Sequence, residues 1–361
     1  MDGDLAENNG KIKAFANLLD LAIDKGASDV HIVVGAHPLL RIDGRLLPVT
    51  SVPPLTTENV NTLLAEIAKP DQLEKVKNRV EVDFSFEYGG TRFRTNLYLE
   101  KNQPAGSLRL ITSKIKTFNE LGLPPIVEFF TSQSQGLVII TGPTGHGKST
   151  TLASMIQKIN LERREHIVSI EDPIEYSFKN EKSLISQREV GNDTQSFSSA
   201  LRSALREDPN VVLIGEMRDL ETIESALIMA ETGHLVLTTL HTNSAAQTVD
   251  RIVAVFPAYQ QQQVRSQLAS VLLGVMSQRL IPRISGGRIV ASEVMIANSA
   301  IRTLIRDNKI HQIPNVIQTS ASEGMILLDK VLAELISRGE VSLEDALTWS
   351  ISPKSLKMMV Y

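Results

Sequence analysis

The 361-residue chain contains no cysteine, which excludes disulfides and every thiolate metal or redox site. It also lacks any run of about 18 uninterrupted apolar residues, so no transmembrane helix is expected. Charge of one sign is not in excess either. A net charge of −4 offers no broad basic footprint, and nucleic acid is not an expected partner. The opening residues MDGDLAENNGK have neither the basic start nor the apolar stretch of a secretory signal. Low-complexity segments and internal repeats are absent as well. What remains is an ordinary globular composition, 42% hydrophobic and 22% charged, long enough for two or three domains. The expected compartment is the cytoplasm, and docking onto a membrane protein stays open because it needs no span.

Residues 1–10 read as a disordered lead-in. From Lys11 the apolar positions Ile12, Phe15, Leu18, Leu19, Ala22 and Ile23 recur at helical spacing, and Gly26 closes the helix. DVHIVV and PLLRID follow as short strands, with Asp43-Gly44 placed to turn a hairpin. A helix is expected over 56–68, ended by Pro70. VEVDFSFEYGGTRFRTNLYL alternates, turns at Gly89-Gly90 and alternates back, and a third strand around Ser107–Ile111 completes an antiparallel sheet. Residues 11–112 thus read as an α+β domain, and 113–133 as a linker with a short helix beside Pro124-Pro125.

From residue 134 onward the texture changes. GLVIIT, HIVSIE, VVLIGE and LVLTTL are continuous apolar runs, as expected of strands buried on both faces. Helical segments at about 148–160, 196–206 and 219–232 separate them. Strand–helix alternation of this kind indicates a mainly parallel, doubly wound α/β core over 134–361. After Ala245 the pattern is largely helical, ending in a helical pair over about 325–348.

Gly142-Pro143-Thr144-Gly145-His146-Gly147-Lys148-Ser149, followed by Thr150, fits G-x-x-x-x-G-K-[ST] between a buried strand and a helix. Glycines there let backbone N–H groups cradle phosphate oxygens at a helix N-terminus. Lys148 is placed to reach the β and γ phosphates, and the Ser149 hydroxyl to ligate Mg²⁺. Such a loop needs a carboxylate at a neighbouring strand end. Glu216, after VVLIG, is one candidate, and Glu171, Asp172 and Glu175 in IEDPIEY are others. His234 and His241 bracket LVLTTL, where each either contacts a phosphate site or is packed as an ordinary core histidine. Arg92, Arg94 and Arg109 sit on the N-terminal strands, and Arg302 and Arg306 share a helix face at i, i+4.

GPTGHGKSTT, SIEDPIEY, IGEMRD and TGHLVLTTLHT stand in the order and spacing of the secretion-superfamily ATPases. They resemble that family's Walker A, Asp box, Walker B and His box. GASDVHIVVGAHPLLRIDG, AIRTLIRDNKIHQIPNVIQT and GMILLDKVLAELISRGEVSLEDAL extend the likeness to most of the chain and resemble the PilT family of type IV pilus retraction ATPases. The resemblance implies a PAS-like N-terminal domain, a RecA-like ATPase domain and a homohexameric ring with ATP between subunits. By position, Glu175 matches the family's catalytic glutamate, Glu216 its Walker B acid, and His234 and His241 its two His-box histidines. Arg94 and Arg109 fall where relatives direct arginines towards nucleotide, and Arg302 and Arg306 match a motif linked to retraction. An inner-membrane pilus platform protein is the implied partner, reached from its cytoplasmic face. His146 departs from the pattern, standing where the family usually has a small residue. Its side chain is expected to point away from the cradle. An extension or secretion ATPase, an accessory retraction paralogue and a RecA-like DNA translocase are the competing readings.

Overall fold

The computed structural model describes residues 15–42, 45–111 and 115–360. By its internal contacts the chain divides into two compact units. One holds the described residues before 115 together with Glu175–Ser177, and the other holds 115–174 and the described residues from 178 onward. The expected lead-in over 1–10 and the Asp43-Gly44 turn lie outside the described residues.

In the first unit, residues 15–24 are helical. The strands are β1 (Asp29–Val33), β2 (Leu39–Ile42), β3 (Arg45–Pro48), β4 (Val82–Tyr88), β5 (Thr91–Glu100) and β6 (Gln103–Ile111). They form one sheet in the order β3-β2-β1-β6-β5-β4, antiparallel throughout. The β4–β5 turn is made by Gly89 and Gly90, both at positive φ (57° and 73°). That pairing defines the tight two-residue hairpin whose twist suits the strands it joins. Phe15, Leu19, Val30, Ile32, Phe93, Leu97 and Leu108 build the core beneath the sheet, each fully buried side chain contributing about 1.5–3 kcal/mol.

The expected helix over 56–68 is Thr57–Ala65, with the Thr56 hydroxyl accepting from the Asn59 N–H as its cap. Pro70 does not merely end that helix. It opens another, Pro70–Lys77, because proline's fixed φ and missing N–H are harmless in a first turn.

The second unit is a seven-stranded sheet flanked by helices. Its strands are β7 (Gly136–Thr141), β8 (His166–Glu171), β9 (Leu184–Glu189), β10 (Val211–Ile214), β11 (Leu235–Leu240), β12 (Leu272–Pro282) and β13 (Arg288–Ile296). The order is β13-β12-β7-β11-β10-β8-β9. All pairs are parallel except β12–β13. Strand β7 shows why its run is continuously apolar. Leu137 and Ile139 belong to one core and Val138 and Ile140 to another, so helices cover both faces.

The expected helices appear as Lys148–Glu162, Phe197–Ala204 and Leu220–Glu231. The terminal pair appears as Leu328–Ser337 and Leu343–Trp349, followed by Pro353–Val360. The largely helical reading after Ala245 holds apart from β12 and β13, which form a long hairpin there. Strand β9 was likewise not foreseen. Strand β12 places Ser277, Gln278 and Arg279 in the interior, and those polar residues break the apolar pattern by which strands are recognised.

Candidate functional site

The phosphate loop leaves β7 at Thr141 and enters the helix Lys148–Glu162. Two of its glycines are required by geometry. Gly142 has φ 142°, and a Cβ there would lie 2.3 Å from the Gln278 carbonyl oxygen. Gly147, at φ 81°, caps the helix in a left-handed conformation, which only glycine adopts cheaply. Lys148 is 8% exposed. Its Nζ donates to the carbonyls of Gly142 and Pro143, both at 3.0 Å, and lies 3.4 Å from His241 Nδ1.

Neighbouring strands bring their ends to the same edge, where ligands of parallel sheets bind. Beyond β10, Glu216 is 2.8 Å from Arg218 Nη2 and 3.0 Å from His241 Nε2. Beyond β11, His241 also has Thr144 Oγ1 3.4 Å from its Nδ1. A lysine ammonium can only donate, so His241 Nδ1 accepts and its Nε2–H points to Glu216. Glu216, His241 and Lys148 therefore form one connected row beside the loop. Burial alone would raise the Glu216 pKa, but Arg218 and His241 outweigh it and hold the carboxyl below its ordinary 4.5. Glu216 is an anion at neutral pH. Glu171, at the end of β8, is buried and accepts from Ser169 Oγ at 2.8 Å and from Gln187 Nε2 at 3.3 Å.

A second set of groups, on β12, was not signalled by any motif. Gln278 Oε1 accepts from Thr151 Oγ1 at 2.9 Å, and its Nε2 donates to the His146 carbonyl at 2.7 Å. The Leu280 N–H donates to His146 Nδ1 at 2.9 Å. Arg279, 4% exposed, donates to the carbonyl and side-chain oxygens of Asn243 at 2.9 and 3.1 Å. A buried polar triplet within an apolar run was the available signal. The His146 ring thus turns towards β12.

Not every sequence candidate joins this cluster. His234 precedes β11 and His241 follows it, so the strand's six residues, about 20 Å, separate them. His234 instead sits beside the C-terminus of Leu220–Glu231, with Nδ1 2.9 Å from the Met229 carbonyl. Glu175 is exposed and groups with the first unit, so it is not among the residues that the second unit assembles at the loop. In that first unit Arg94 and Arg109 stand opposite each other across β5 and β6. Arg109 Nε donates to Asp29 at 2.9 Å while its side chain stays 69% exposed. Arg302 is no exposed surface group: it donates to the Ala269, Ser270 and Leu272 carbonyls at the end of the helix Gln261–Val271. Cationic donors stabilise such helix ends. Arg306 remains exposed.

The profile of the type II/IV secretion system protein family matches residues 4–287. The chain is 48% identical over 331 residues to the type IV pilus retraction ATPase PilT of Pseudomonas aeruginosa, covering 91% of this chain and 96% of that one. It belongs to this family, among the PilT-type pilus retraction ATPases. A twitching motility protein of Neisseria gonorrhoeae is 46% identical, with 86% of this chain and 83% of that protein covered. A crystal structure of the pilus retraction motor PilT with bound ADP superposes with a TM-score of 0.89 at 47% identity, covering 95% and 98% of the two chains. Among the described residues no helix is long and apolar enough to cross a membrane.

Proposed function

We propose that this chain is the ATPase subunit of a pilus retraction motor, hydrolysing ATP at the Gly142–Ser149 loop. The observation that carries this reading is the row Glu216–His241–Lys148, which sets an ionised carboxylate, an oriented imidazole and an ammonium at the loop. Loop amides at a helix N-terminus and Lys148 bind the β and γ phosphates. His241 holds its Nε2–H on Glu216 and keeps Nδ1 towards the loop, where a γ-phosphate would register its position. Mg²⁺ would be held by the Ser149 hydroxyl and, partly through water, by Glu216. Both are hard oxygen donors, and Arg218 and His241 keep Glu216 ionised, which is the donor chemistry that ion takes. When bound, Mg²⁺ supplies charge neutralisation at the phosphates.

Glu175 is assigned to orient and deprotonate the attacking water, as its place in the Asp box implies. Arg94 and Arg109 are assigned to the nucleotide of an adjacent subunit in a homohexamer. Their exposed ends on the sheet of the first unit suit a role towards another chain, and arginines supplied in this way stabilise transferring phosphoryl charge. Work is delivered at the cytoplasmic face of the inner membrane to a pilus platform protein, with pilin drawn back into the membrane. The likeness to the Pseudomonas and Neisseria proteins over most of the chain supports that assignment.

Deletion of the gene in the source organism, scored for surface pili and twitching, tests the reading. Excess non-retracting pili with lost twitching is the expected outcome. Loss of pili contradicts retraction.

A further inference from the structure

The phosphate loop is tied to the C-terminal helices through one aromatic contact. Trp349, the only tryptophan in the chain, ends the helix Leu343–Trp349. Its indole meets the His146 ring at a centroid distance of 4.5 Å and an interplanar angle of 65°. That edge-on arrangement is the favourable one for two rings.

Both partners are fixed from behind. Trp349 packs on a core of Ile281, Leu328, Leu332, Ala346 and Leu356. The backbone just after it is held by buried Asp329, which accepts from Ser350 Oγ at 2.8 Å, the Ile351 N–H at 3.0 Å and the Ser352 N–H at 2.8 Å. On the other side, the His146 carbonyl and Nδ1 are engaged by Gln278 and Leu280. A neutral imidazole is required, because Nδ1 accepts a backbone N–H.

We infer that Trp349 is a positioning residue for the nucleotide site: held by the C-terminal helices, it sets His146 and, through it, the loop that presents the phosphate-binding amides. This rests on the loop being the nucleotide site proposed above. Gly147 and Lys148 follow His146 directly, so a rotation of its backbone re-aims the N–H groups of the helix N-terminus. Burial, with Arg279, Arg288 and Lys148 nearby, keeps the imidazole uncharged, in line with the contact it makes. The contact gives the helix Leu343–Trp349 a direct hold on nucleotide affinity through His146. It also gives nucleotide a way to act on that helix, since such coupling is reciprocal.

The test uses the full chain and ADP as the probe. Isothermal titration calorimetry on the unsubstituted protein first establishes ADP binding; absence of binding there fails the nucleotide reading itself and not the coupling. Trp349→Leu is then expected to raise the Kd for ADP about two- to tenfold, the range of one aromatic contact. In steady state it should raise KM by a similar factor while kcat changes less. Trp349→Phe, which restores a ring edge, should return the Kd to within about twofold of the starting protein. In a His146→Ser background, Trp349→Leu should have almost no further effect, because the group it acts through is gone. A measurement without any substitution stands beside these. The emission of the single tryptophan should change on ADP titration, with the calorimetric midpoint. Equal effects of Trp349→Leu in both backgrounds, or constant emission while calorimetry shows binding, overturns the inference.

Discussion

The two flanks of the phosphate loop differ in kind. On the β10–β11 side stand Glu216, Arg218 and His241, partly exposed, charged or titratable, with Glu216 paired to both of the others. On the β12 side stand Gln278 and Arg279, buried and fully engaged with the loop backbone and with Asn243. On the proposed function the first flank serves the chemistry and the second holds the loop in place to receive it. Electrostatic catalysis depends on both, since donors aimed at developing charge are effective only when already in position. Substitutions on the first flank should therefore reduce turnover, whereas those on the second should loosen binding or the fold.

Among the largest effects expected is that of Lys148→Ala. Removing the ammonium that lies on the loop carbonyls should reduce ATP turnover by about a hundredfold or more, read in a steady-state phosphate-release assay. Next comes Gly142→Ala on the supporting side. Its Cβ would meet a backbone oxygen at 2.3 Å in a left-handed region of φ, so nothing flexible can yield. A loss of about 1–3 kcal/mol of stability is expected, seen as a lowered thermal midpoint in calorimetry. Gln278→Ala should cost about 1–3 kcal/mol as well, because the Thr151 hydroxyl and the His146 carbonyl lose their partner. It should raise the Kd for ADP while leaving kcat less affected than Lys148→Ala does. If it instead abolished turnover with binding intact, the division between the flanks would break.

The smallest effect concerns pH. His146 holds its proton less tightly in the fold than its ordinary value of 6.5, through burial and then Arg279, Arg288 and Lys148. Below pH 6.5 the unfolded chain binds more protons than the folded one. The stabilisation is therefore complete above 6.5 and is lost as pH falls towards the lowered folded value. His146→Ser should flatten the fall of the thermal midpoint in that window by about one or two degrees. Glu216 titrates in a different range. Its lowered folded pKa gives stability present above about 4.5 and lost only below it, so the two contributions separate on a pH series.

The same contrast explains what could be read in advance. Glu216 and His241 follow apolar strand runs directly, so the sequence places them at the sheet edge where the phosphate loop lies. The alternation of β4 and β5 around Gly89-Gly90 is equally legible, because two glycines of positive φ are what a two-residue turn needs. Strand β12 was not legible, since its Gln278 and Arg279 look like surface residues until their partners on the loop are known. Pro70 fits a helix stop and a helix start equally well in sequence, and only the turn that follows decides for the start. His234 shows a further limit. Residues that bracket a strand are close in sequence but lie at opposite ends of an extended element, and a motif alone does not say which end faces the ligand.

On the proposed function the loop and the Glu216–His241–Lys148 row hydrolyse ATP, with Glu216 needed for the chemistry more than for binding. Glu216→Gln tests it most directly, because it keeps the side chain's shape and removes its charge. Phosphate release is expected to fall about 10²–10³-fold while ADP still binds by calorimetry within a few-fold of the unsubstituted chain. Turnover that stays at the unsubstituted level would contradict it.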